Sequence, residues 1–214
     1  LPAQQADFDK TSAALRTALH YDPSVEVPLQ KLIELYRGAN RTEELLALYQ
    51  QHLAQYPADM SATLVLARLY GELRDKRAEP LLRDAITRHP DDALLAWQHG
   101  RFLEGQHDPK SVEEMARAVS LETSSARRAL WFGELMKAAA VQGREDLVLA
   151  RSRQFLADGS MSGEQRLRWA RQALASRLVK TAELLLEGID PKSLGADGEI
   201  ECAMLRARVF AALQ

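Results

Sequence analysis

The sequence predicts an all-α fold, a stack of antiparallel helix hairpins with about 12 helices, and three observations carry that expectation. Apolar residues recur at helical spacing, short polar marks interrupt them at a nearly constant interval, and the composition favours helix throughout. The marks are Tyr21-Asp22-Pro23, Tyr56-Pro57-Ala58-Asp59 and His89-Pro90-Asp91-Asp92. Their prolines recur at a period of roughly 34 residues, the length of a two-helix unit in a stacked series. Asp190-Pro191 stands close to three further periods beyond Pro90. Thr123-Ser124-Ser125 and Asp158-Gly159-Ser160 fall near the two intermediate points.

Composition bounds the reading. Hydrophobic residues make up 46% of the 214 residues, enough to build a substantial core, and charged residues 27%. Ala, Leu, Arg, Glu and Gln favour helix, while β-branched residues are sparse. A net charge of −2 gives no electrostatic reason to expect nucleic acid. No stretch approaches the roughly 20 apolar residues that span a bilayer, so no direct membrane insertion by this segment is expected. The single cysteine, Cys202, excludes an internal disulfide and leaves the compartment open, cytoplasm and periplasm alike.

Taken in order, residues 3–21 fit a lone helix, followed by hairpins over 24–57, 58–90, 91–123, 124–158 and 159–191, and a lone helix over 197–213. In the first hairpin Leu29, Leu32, Ile33 and Tyr36 follow i, i+3, i+4, i+7, as do Leu45, Leu48, Tyr49 and His52. Gly38-Ala39-Asn40 is the turn between them, and Asn40 with Glu43 has the form of a capping box. Ser162 with Gln165 has the same form at the start of the fifth hairpin. Asp108-Pro109 suits a helix start, where aspartate caps and proline occupies the first turn. Pro80 inside a helix would cost roughly 3 kcal/mol. The helix carrying Leu82 and Ala85 is therefore expected to begin close to Pro80 or to bend there.

These residues resemble the tetratricopeptide family, whose first helix carries a large residue, a Leu-Gly-like pair and Tyr at fixed spacing. Its second helix carries a small residue, an aromatic and Ala before a closing Pro. The first hairpin has Leu29, Leu32-Ile33, Tyr36, Leu45, Tyr49, His52 and Pro57. The second has Thr63, Leu66-Ala67, Tyr70, Ala78, Leu82, Ala85 and Pro90. The third has Ala96, His99-Gly100, Leu103, Ser111, Met115 and Ala118, with Thr123 in place of Pro. The fourth, through Phe132, Leu135-Met136, Ala139, Gly143 and Val148, needs about three extra residues around Glu122 to Ala129. The fifth runs through Leu167, Ala170, Leu174, Ala182 and Leu186 to Pro191. The resemblance implies a right-handed superhelix. The array begins and ends in mid-unit, which points to a segment of a longer protein carrying further repeats or domains, although the single end helices also fit ordinary polar caps through Lys10, Arg16, Arg206 and Arg208.

Catalytic chemistry finds little footing, and the chain is read as a non-enzyme with no cofactor and no metal. The five histidines, His20, His52, His89, His99 and His107, never pair with one another or with Cys202 at metal-ligand spacing. His52 and His99 fall at buried-type positions and are expected in the core. Gly159-Ser160-Met161-Ser162-Gly163 has Met where a nucleophile elbow needs Ser, so a helix-capping loop is the reading.

The resemblance further implies that the first helix of each hairpin lines a concave groove. Residues on it that lie off the packing stripe are then the candidate partner-binding set: Gln30 and Glu34, then Leu64 and Arg68, then Leu94, Trp97 and Arg101, then Lys137. Aromatic and arginine side chains carry most binding energy at protein interfaces. Arg68 and Arg101 hold equivalent places in adjacent units and would form a basic ladder suited to an acidic peptide or a carboxylate. The alternative is that Trp97 packs on the next hairpin and the arginines pair with Glu34 and Glu104. The lysines and asparagines with which chaperone-binding members hold a terminal carboxylate are mostly missing. The expected function is a scaffold that binds a protein or peptide, as part of a larger assembly or secretion-type protein. A structural spacer or self-association arm is the alternative, and an RNA-reading helical repeat a more distant one.

Overall fold

The computed structural model describes residues 2–214, with side chains from residue 4 onward. Among these residues there are 12 α-helices and no strand. In chain order they are α1 Pro2–Tyr21, α2 Glu26–Gly38, α3 Thr42–Gln55, α4 Met60–Glu72, α5 Ala78–Arg88, α6 Ala93–Gly105, α7 Ser111–Leu121, α8 Ser125–Gln142, α9 Glu145–Ala157, α10 Gly163–Ala175, α11 Val179–Leu186 and α12 Gly195–Ala212. A 3-10 turn over Pro191–Leu194 precedes α12. None of these helices is long and apolar enough to cross a membrane.

Packing is mostly between sequential helices, as an array of hairpins requires. The contacts divide the chain into two compact units, Leu1–Phe102 and Leu103–Gln214. In the N-terminal unit α1 packs on α2 and α4, α3 on α2 and α4, and α4 on α5. Leu29, Leu32, Ile33 and Tyr36 of α2 and Leu45 and Tyr49 of α3 are all buried there, so both apolar stripes face inward. In the C-terminal unit the helices form two rows: α7, α9 and α11 pack in succession, as do α8, α10 and α12. Phe132 of α8, Phe155 of α9 and Trp169 of α10 form an aromatic cluster there, with centroids 4.6–6.1 Å apart.

The repeat is written most clearly in one backbone feature. Asn40, Arg74, His107, Gly143 and Arg177 all have positive φ, between 54° and 68°. In each case the next residue's N–H donates to a carbonyl five residues back, at 2.8–2.9 Å: Arg41 to Tyr36, Asp75 to Tyr70, Asp108 to Leu103, Arg144 to Ala139 and Leu178 to Ala173. This is a left-handed helix stop that satisfies orphan carbonyls at a C-terminus. It closes α2, α4, α6, α8 and α10 in turn, at a nearly constant step along the chain. The widest step, from His107 to Gly143, spans α8, which has 18 residues where α2, α4, α6 and α10 have 13. The additional residues near Glu122 to Ala129 are thus absorbed as helix. The same feature moves the fifth-repeat slot assigned to Leu174 back by one, to Ala173.

Local expectations divide. The Ser162–Gln165 capping box forms. The helix after Lys76 begins only at Ala78, which puts Pro80 in the first turn, where a missing N–H costs nothing. The Asn40–Glu43 capping box does not form, because Asn40 is the left-handed residue ending α2 and α3 starts after Arg41 with no side-chain cap. Asp108 and Pro109 lie in the turn ahead of α7 rather than at its first position. There the Asp108 carboxylate accepts from the Lys110 N–H at 2.8 Å.

Candidate functional site

The residues expected to bind a partner lie on α2, α4, α6 and α8, and burial sorts them. Leu64 is 2% exposed and belongs to an apolar cluster with Ala67, Leu82, Ala85 and Leu95, against which half-buried Leu94 also packs. Trp97 is 8% exposed. The Arg68 side chain is likewise 8% exposed. It donates to the carbonyls of Pro23 at 2.6 Å and Val25 at 3.1 Å, and pairs with Glu26 at 2.5 Å. Its partner is therefore Glu26, not Glu34. The physical reason is that α4 packs on α1, α3 and α5, and eight of its residues are buried, so it keeps no broad free face. The run Ala62 to Ala67, uninterrupted by charge, signals such an enclosed helix.

The remaining members are accessible. Glu34 and Arg101 are exposed, and half-buried Gln30 donates to Glu26 at 2.7 Å. In the C-terminal unit Lys137 is exposed and pairs with Glu134 at 2.8 Å, and Leu130 is also exposed. The structure thus brings Leu64 and Leu94 together inside the protein and leaves Glu34, Arg101 and Lys137 as surface charges.

A second arrangement was not anticipated. A cavity of about 150 Å³ opens in the N-terminal unit where α1, α3 and α4 meet. Arg16 and His20, one turn apart on α1, face Tyr49 and His52 on α3 and Asp59 at the start of α4. Leu19, Leu48 and Val65 supply apolar wall. Asp59 caps α4 by accepting from the Ala62 N–H at 2.9 Å, and its other oxygen lies 2.7 Å from the His52 ring. Burial pushes the Asp59 carboxyl up, but the Ala62 N–H and His52 outweigh it and hold the group below its ordinary value. Burial also pushes the Tyr49 phenol up to about 12, so it remains a donor.

His52 is not the core residue its helical position suggested, since its side chain is 41% exposed and belongs to this rim. Two ring pairs stand beside the cavity: His20 with Tyr21 at 5.8 Å and His52 with Tyr56 at 5.0 Å, both tyrosines largely exposed. The i, i+4 pair Arg16 and His20 was the available sequence signal. Its meaning depended on residues of other helices, far along the chain. Compared with protein-family models and with curated proteins, the chain matches none.

Proposed function

We propose that the chain is a tetratricopeptide-like helical repeat that binds a protein or peptide partner and performs no catalysis of its own. The observation that supports this reading is the recurring hairpin, with the same left-handed stop after every other helix from α2 to α10. Repeats of this kind bury their stripes against neighbours and leave side chains on one helix row available for recognition. With Leu64, Arg68 and Trp97 engaged within the fold, the recognising set contracts to accessible charges. The N-terminal unit offers Glu34, with Gln30 one turn before it, and Arg101, and the C-terminal unit offers Lys137. Both signs are present, so the preferred partner surface is mixed in charge rather than simply acidic.

Affinity capture tests the reading. The intact chain should retain a specific partner that Glu34→Lys, Arg101→Glu or Lys137→Glu releases, each variant being checked for native helix content by circular dichroism. A partner held equally by all three variants would remove these residues from the interface.

A second reading, a self-association arm, is favoured by α12. Ile200, Met204 and Phe210 are 58–67% exposed on that helix, while Cys202, Leu205 and Val209 bury its other side. Apolar side chains so exposed suit coverage by another helix.

A further inference from the structure

We propose that the cavity between α1, α3 and α4 is a binding site for a small apolar carboxylate, with Arg16 as its anchoring cation. The site stands on the N-terminal unit alone and does not rest on the partner reading above.

The Arg16 Nε is fully buried and has no hydrogen-bond partner among the described residues. A guanidinium presents five N–H donors in a planar fork matched to a carboxylate, and a buried donor left unmet is costly. The carboxylate already lining the cavity does not meet it. One Asp59 oxygen accepts from the Ala62 N–H and the other lies against the His52 ring, and neither bonds the Arg16 Nε. The protonated Tyr49 hydroxyl offers a second donor. Ser61, in the first turn of the 13-residue α4, brings the positive end of a helix to the same wall.

Charge and size narrow the ligand. Asp59 sits beside the proposed anion, which favours a monoanion over a doubly charged phosphate by simple repulsion. Leu19, Leu48 and Val65 provide an apolar wall for the rest of the molecule. A volume of about 150 Å³ holds a body the size of benzene or a leucine side chain. The shared chemistry is a carboxylate on a short apolar group. It is found in a free short-chain acid and at a peptide C-terminus whose last residue is apolar.

Titration of the full chain, followed by amide chemical shifts, tests the site with four probes. They are 4-methylpentanoate, its amide, and a tetrapeptide ending in Leu with a free or an amidated terminus. At least one carboxylate should bind roughly tenfold or more tightly than its amide, with shifts centred on α1, α3 and the start of α4. Binding of the free acid alone identifies a small metabolite-like ligand, and binding of the free-terminus peptide alone identifies a chain terminus. Either result supports the site. Arg16→Gln should abolish the preference for acid over amide, and His20→Ala should leave it in place with weaker binding. Shifts in the unaltered chain keep the test valid if a variant misfolds. Equal binding of acid and amide, shifts centred elsewhere, or an unchanged preference in a folded Arg16→Gln would overturn the proposal, whatever the outcome of partner capture.

Discussion

Arg68 ties α4 to the turn between α1 and α2 through two carbonyls and one carboxylate. Burial of its guanidinium lowers its basicity, which Glu26 partly restores, and the group stays charged. Removing it leaves the Pro23 and Val25 carbonyls without this donor. Hydrogen bonds to charged groups contribute about 1.5–3 kcal/mol each, so Arg68→Ala should cost roughly 2–4 kcal/mol in urea unfolding. Arg68→Lys should recover less than half, because an ammonium lacks the fork that reaches three acceptors together. Full stability in Arg68→Ala would show that the turn holds without the clasp.

Asp59 acts at the same scale with a pH signature. Its folded pKa lies below the ordinary 3.8 because the Ala62 N–H and His52 favour the charged form more than burial disfavours it. A depressed carboxylate contributes stability that is present above its unfolded pKa and lost as pH falls through the folded one. The loss therefore belongs below about pH 4. Asp59→Asn keeps a competent helix cap and removes the titration, so its urea midpoint should fall less steeply than the wild type's between neutrality and about pH 3. Parallel curves would assign the acid sensitivity to other carboxylates, of which buried Glu122, held by Arg127 and the Ser124 N–H, is one.

At the scale of elements, the helix stops decide where each hairpin folds back. Five close α2, α4, α6, α8 and α10, a sixth at Gly159 closes α9, and of the six only Gly143 and Gly159 use the residue that adopts positive φ freely. The others place Asn, Arg, His and Arg in a region that costs most residues about 1–2 kcal/mol. Gly143→Ala should therefore destabilise by about 1 kcal/mol, and nothing within 4 Å obstructs the added methyl, so the effect reports backbone strain alone. Arg177→Gly, at an exposed position, should stabilise by up to about 1 kcal/mol after the entropy of the freer unfolded chain is offset. Thermal melts of the pair check both signs. Two changes of the same sign would mean that the stops do not govern the turns.

At the scale of the whole molecule, α12 carries three of the large apolar side chains left exposed among the described residues. Its inner side seats Cys202, Leu205 and Val209, and its outer side leaves Ile200, Met204 and Phe210 in solvent. If this face mediates self-association, sedimentation velocity should show mass rising with concentration. Phe210→Asp should then return the chain to a monomer with little change in melting temperature. A concentration-independent monomer at tens of micromolar would remove the self-association reading and leave the partner-binding one intact.

Much of the architecture was present in the sequence because helical amphipathicity is local. A stripe such as Leu29, Leu32, Ile33, Tyr36 declares both a helix and its buried side within three turns. Recurrence of such stripes at a nearly constant interval adds the hairpin. The capping box at Ser162 and the late start at Ala78 were legible for the same reason, since caps and proline act within one turn. What only the tertiary structure decided is which off-stripe residues are exposed. Leu64 and Arg68 lie where helical counting puts an open face, but α4 is enclosed by three helices, and no count along one helix contains that. The cavity was hidden likewise, because Arg16, Tyr49 and Asp59 are unrelated in sequence until three helices converge. Secondary structure follows from neighbours along the chain, whereas accessibility and the assembly of a site follow from neighbours in space.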